Sequence, residues 1–237
     1  EARARENHVQ AALTKLSSYR GGDGRFYLWA GSSYYHPWSG IYAGYFLLEA
    51  RDKRFNIPEG LLDNWQKTHN DLANKWNVQG ASNQLTQIRE EQIQAFRLYI
   101  LARSGAPVLG AMNRLSQSAS KNYMTELMLA GAYLVSGYDN MADQWLKKAL
   151  SSYTSQKDYS AYSASTFGGR DRNECLMIDV LSLFPNRRES LEELYEGLVD
   201  RLNEKNWVST QTMAFAFLAA SRYLQGSRAG ADGTMNF

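Results

Sequence analysis

The residues whose types could do chemistry are few: one cysteine, three histidines, and carboxylates at the starts of apolar segments. Cys175 stands in RDRNECLMIDV, beside Glu174 and close to Arg170 and Arg172. A thiol near a helix N-terminus and two guanidiniums is a candidate for a lowered pKa and for nucleophilic use. We adopt the plainer reading, a small hydrophobe in a packed helix. His8, His36 and His69 share no metal-ligand spacing, so no metal or cofactor is expected. His36 precedes a proline in a loop, and His69 sits on an apolar stripe; both read as structural. GGDG at 21–24 reads as a turn, without the strand and helix that a nucleotide fingerprint needs. No GxSxG or CxxC occurs. Glu90, Glu91, Asp171, Glu174 and Asp179 could supply the two carboxylates of sugar cleavage, and Tyr34, Tyr35, Tyr42, Tyr99 and Tyr162 could stack on sugar rings. The alternative is a solvated rim of helix ends and an aromatic core. The Asp-rich motifs of terpene cyclases are missing.

The elements that must position these residues are set by composition and period. The chain has 237 residues, 44% hydrophobic and 21% charged, which suits a globular core and argues against disorder. A net charge of +2 argues against a nucleic-acid surface. A single cysteine excludes an internal disulfide. No apolar run reaches the roughly 18–20 residues of a membrane span. The chain starts at Glu1 with neither a Met nor a signal peptide, and reads as a processed form or a piece of something larger.

The pattern is helical almost throughout, with RFYLWA the one weak strand signal, and the helices are of two alternating kinds. Amphipathic ones carry a single stripe, such as Leu62, Trp65, His69, Leu72 and Trp76, or Leu191, Leu194, Tyr195, Leu198 and Leu202. Others are apolar nearly all round: 41–50, 93–102, 127–135, 175–184 and 213–224. A helix without a polar face must be enclosed by other helices. The order outer, inner repeats five times, a helical-hairpin repeat. An open solenoid would leave one helix of each pair on a polar concave face, and the inner set is too apolar for that. The expected fold is therefore all-α, an α/α toroid spanning 1–225, followed by a terminal loop at 226–237. Tyr42, Phe46, Phe96, Tyr133 and Phe215 are expected along its axis. Five pairs are an incomplete six-pair ring, and the missing inner helix is expected before Glu1.

The segment DGRFYLWAGSSYYHPWSGIYAGYFLLEARDKRFNIPEGLLDNW resembles the thioester-domain region of bacterial alpha-2-macroglobulins. There a "DGGFxxWPGG" turn precedes "YAGHFLLEA" and a "GYxVP" stretch. The matching pieces are Asp23-Gly24, Phe26, Trp29, Trp38, Tyr42-Ala43-Gly44, Phe46 to Ala50 and Ile57-Pro58. FRLYILARSGAPVLGAMNRL (96–115), TFGGRDRNECLMIDVL (166–181) and WVSTQTMAFAFLAASRYL (207–224) are similar to further segments of that family. The resemblance covers nearly the whole chain. It implies a complement-like α/α toroid within a large envelope-associated protease trap. In such a trap a Cys–Gln thioester, made from a C-x-E-Q motif, is shielded until cleavage of a bait segment exposes it.

This chain contains no C-x-E-Q, and Leu-Met-Ile follows Cys175, so Cys175 does not match the thioester cysteine. The resemblance places that motif before Glu1. The expectation is a non-enzymatic domain that houses or shields the thioester region in the periplasm or cell envelope. Its partners would be other domains of the parent and, through the parent, target proteases. Polar residues at inner-helix starts, Ser39, Glu90, Arg170, Asp171, Arg172, Thr210 and Gln211, are the candidate docking rim, because helix N-termini offer free N–H donors there. The alternatives are a carbohydrate-active toroid enzyme and a thioester-free binding module.

Overall fold

A computed structural model describes residues 2–77, 83–117, 122–156, 166–185 and 187–231. Ten α-helices are found there: α1 (Ala2–Ser18), α2 (Pro37–Asp52), α3 (Leu61–Lys75), α4 (Gln84–Arg103), α5 (Leu109–Ser116), α6 (Tyr123–Val135), α7 (Asp139–Gln156), α8 (Arg170–Leu181), α9 (Arg188–Asn203) and α10 (Thr210–Ala231). No strand occurs among the described residues. The weak strand signal at RFYLWA reduces to one bridge between Arg20 and Phe26. The all-α expectation holds, and the odd-numbered helices are the amphipathic ones.

Local chemistry explains the boundaries. Pro37 opens α2, where its missing N–H costs nothing. Asn83 caps α4 by accepting from the Thr86 N–H at 2.9 Å, and Asn122 caps α6 by accepting from Met124 and Thr125. Gly105 (φ 85°) and Gly137 (φ 81°) take the left-handed conformation just past α4 and α6, where a side chain would be strained.

The chain divides into two compact units, Glu1–Ser120 and Lys121–Phe237. In the first, α4 lies against α2, α3 and α5, and α1 packs on α2. The α2–α3 crossing is close because Gly44 lets the Trp65 indole lie on the backbone of α2. A Cβ at Gly44 would sit 2.0 Å from the ring. Trp65 Nε1 donates to the Gly40 carbonyl at 2.9 Å, and the His69 ring stacks on the indole at 4.6 Å. Trp38 stacks on Phe96 at 4.5 Å. At the far end of α4, Arg103 donates to Glu49 at 2.7 Å while lying over the rings of Tyr45 and Tyr99.

In the second unit α6 runs along α7, and α8 packs against α10, α9 and α6. The inner assignment holds for α4, α6 and α8, which are buried on nearly every side. In α10 the burial is one-sided. Among its described side chains, Thr212, Phe215 and Ala219 are buried, one stripe at helical spacing, while Phe217 is 69% exposed. Within its unit, α10 meets α8 and α9 by that stripe, by the Arg222–Asp179 pair and by the stack of Tyr223 on Tyr195. Phe96, Tyr133 and Phe215 are buried, whereas Tyr42 and Phe46 are half-buried and face an apolar recess of about 230 Å³ within the first unit. The last helix also continues to Ala231, through the start of the stretch expected to be loop; residues 232–237 lie outside the described residues.

Candidate functional site

The densest polar cluster lies at the start of α8 in the second unit. The period of RDRNECLMIDV makes it a helix, and burial of both its faces takes its polar first turns inside. Glu174 is fully buried. Its Oε1 accepts from the Tyr153 hydroxyl on α7 at 2.8 Å and from Arg170 Nε at 2.8 Å. Its Oε2 is held by Arg201 of α9. Arg201 Nε also donates to Asp171 at 3.3 Å, and Lys205 pairs with the other Asp171 oxygen. Burial pushes the Asp171 carboxyl up, but the hydrogen bonds and charges of Lys205 and Arg201 outweigh it and hold it below the ordinary value. Asn173 donates to the Tyr123 hydroxyl of α6 at 3.2 Å. One helix start is thus tied to α6, α7 and α9.

Arg172 points inward and is 2% exposed. It donates to Thr166 Oγ1, and the loop before α8 closes over it. A Cβ at Gly168 would meet its guanidinium at 2.1 Å. Phe167, in that loop, is 53% exposed and has a φ of 55°, which is costly for a residue with a side chain. Burial depresses the Arg172 guanidinium to about 9. Burial, with Asp171 adding to it, pushes the Cys175 thiol up to about 12. That thiol is 1% exposed, and its burial disfavours the thiolate that nucleophilic or ligand chemistry needs.

The structure therefore gathers Arg170, Asp171 and Arg172 of the candidate rim on one helix start. Thr210 and Gln211 open α10, which packs against α8 in the same unit. Ser209 caps that helix, its Oγ accepting from the Thr212 N–H at 3.1 Å. Ser39 and Glu90 belong to the first unit: Ser39 lines the apolar recess beside Tyr42, and Glu90 pairs with Arg89 at 2.9 Å. Of the other carboxylates weighed for sugar chemistry, Glu91 is buried and accepts from Gln87 at 3.0 Å. Asp179 is paired with Arg222 at 3.1 Å. Tyr162 lies outside the described residues. Among the described residues no group of three or more His, Cys, Asp or Glu could hold a metal ion, and no helix is long and apolar enough to cross a membrane.

Sequence reasoning missed Arg201 and Lys205. Their one signal was basic residues at i, i+4, Arg201 in the last turn of RESLEELYEGLVDRLN and Lys205 just past it, after a mostly acidic helix. It also missed the buried guanidinium of the first unit. Arg97 is 5% exposed and donates to Gln94, and its charge, after burial itself, keeps His69 neutral. Neither ring nitrogen of His69 has a hydrogen-bond partner among the described residues.

No protein-family profile matches the chain, and no curated protein does. Solved structures do. Native alpha-2-macroglobulin from Escherichia coli, seen by cryo-electron microscopy, matches 93% of this chain at TM-score 0.76 and 20% identity. A crystal structure of the native Escherichia coli protein from domain MG7 to the C-terminus matches 94% at TM-score 0.77 and 20% identity. A Salmonella alpha-2-macroglobulin mutant matches 93% at TM-score 0.75 and 21% identity. The chain spans 14%, 35% and 14% of those three chains. This all-α chain carries the fold of one portion of the bacterial alpha-2-macroglobulins.

Proposed function

We propose that this chain is the toroid domain of a bacterial alpha-2-macroglobulin-like protease trap in the periplasm or cell envelope. In this reading it acts as a scaffold that shields the thioester region and packs against other domains of the parent. The observation that carries the proposal is the likeness over 93–94% of the chain to structures of native bacterial macroglobulins. The alternation of striped and enclosed helices supports it independently, because it is a property of this chain's own residues.

The side-chain chemistry suits a scaffold better than a catalyst. Asp171, Glu174 and Asp179 each hold a cation, and a carboxylate locked as an ion acceptor is a poor general acid. Cys175 is buried and protonated, so any covalent capture by the parent uses another cysteine. Shielding requires rigidity, and the latch of α8 to α7 and α9 supplies it.

The test uses the full-length parent. Native protein is treated with methylamine, and intact mass and free thiol are followed together. A mass gain with one new thiol means a live thioester and makes this domain part of its housing. The trap role is read separately, by incubating the parent with elastase or trypsin. A cleaved parent that changes hydrodynamic radius and retains the protease supports the proposal. A parent cut to fragments with the protease left free would sink it.

A further inference from the structure

A cavity of about 500 Å³ lies between α7, α8 and α9, wholly within the second unit. That is within the range of small-molecule sites, roughly 300–1,000 Å³. Its wall is two-sided. Leu150, Met177, Leu181 and Leu194 form an aliphatic side, and Arg170 and Arg201 a cationic one. Glu174 also lines the cavity, with both oxygens already accepting hydrogen bonds. Arg201 spends Nε on Asp171 and Nη2 on Glu174, and its Nη1 is beside Gly197, 3.5 Å from where a Cβ would stand. A guanidinium has five N–H donors and no acceptor, so what it presents to a cavity is complementary to an oxyanion. Glu193, exposed and also lining the cavity, offsets part of its positive charge.

We propose that this cavity binds an amphipathic anion: one acidic head against Arg201 and Arg170, and an aliphatic chain along Leu150, Met177, Leu181 and Leu194. The inference is independent of the macroglobulin reading, since it concerns one unit and its own side chains. An anionic head clamped between α8 and α9 bridges the two helices, so the ligand stabilises the unit by an amount that grows with the logarithm of its concentration above Kd.

The whole chain is titrated calorimetrically with decanoate, decyl phosphate and 1-decanol, all below their aggregation concentrations. One of the anions, or both, should bind once per chain; which of them does identifies the head as carboxylate or phosphate. Decanol should bind at least about tenfold more weakly. Gly197→Leu fills the cavity from α9 with its Cβ in ordinary contact, 3.5 Å from Arg201 Nη1, and leucine favours a helix, so it should fold and lose at least about tenfold in affinity. Arg201→Gln should weaken the anions alone; if it fails to fold, Gly197→Leu still decides. The proposal is overturned if neither anion binds at about 1 mM. It is overturned equally if decanol binds as well as they do, or if folded Gly197→Leu binds them unchanged.

Discussion

Gly44→Ala is the sharpest test of how α2 and α3 meet. Alanine is the better helix former, and in open helical space the change stabilises by roughly 0.5–1 kcal/mol. At Gly44 the new Cβ would lie 2.0 Å from Trp65 Cε2 and 2.5 Å from Nε1. The indole cannot swing aside cheaply. It is fully buried, stacked on His69, and donates to the Gly40 carbonyl at 2.9 Å. Overpacking costs about 1–3 kcal/mol. Displacing Nε1 from its acceptor adds about 1–3 kcal/mol. Against a helix gain of about 1 kcal/mol, the net loss is about 1–5 kcal/mol. Urea unfolding followed by tryptophan fluorescence reads this as a lower midpoint at unchanged slope. The same substitution made in a Trp65→Leu background should cost far less, because the clashing ring is gone. A neutral or stabilising Gly44→Ala, or an undiminished cost without the indole, would refute the close-approach argument.

Four further outcomes follow from the same contacts. Gly197→Ala places its Cβ 3.5 Å from Arg201 Nη1, an ordinary contact, and should raise stability by about 0.5–1 kcal/mol in the same assay. His69 is held well below 6.5 when folded, so as pH falls through 6.5 the unfolded chain takes up a proton that the folded one refuses. Its contribution is complete above 6.5 and fades below: going from about pH 7.5 to about 5.5 should cost about 1.4 kcal/mol that a His69→Phe variant does not lose. Cys175 should resist thiol reagents in the native state and react at the rate at which the second unit opens, measured by mass spectrometry against urea; rapid native labelling contradicts the burial argument. Arg103→Lys keeps the charge but loses the planar stack on Tyr45 and Tyr99, and should cost about 1–2 kcal/mol by thermal or urea melting.

Much of the fold was legible in the residues. Leu191, Leu194, Leu198 and Leu202 repeat at helical spacing, and α9 follows them; LMLAGAYLV has no polar side, and α6 is enclosed. Each proline lies outside a helix interior, as its ring requires. The candidate site was half legible. RDRNE marked the α8 start and held the Arg170–Glu174 pair, but nothing in that string names the other counter-charges, which stand about thirty residues on, at Arg201 and Lys205.

The sequence alone determined the alternation of striped and all-apolar helices, and with it the all-α class, because facing is a local property that repeats every 3.6 residues. Tertiary structure decided three things that periodicity does not carry. It chose Gly44 as the point where an indole meets backbone. It left Phe217 of α10 exposed although its helix is apolar on several faces. It turned Glu174 from a possible acid into the buried centre of a latch. Each depends on which atoms from distant segments come within a few ångströms, and hydropathy along a chain records how a residue faces, not what it meets.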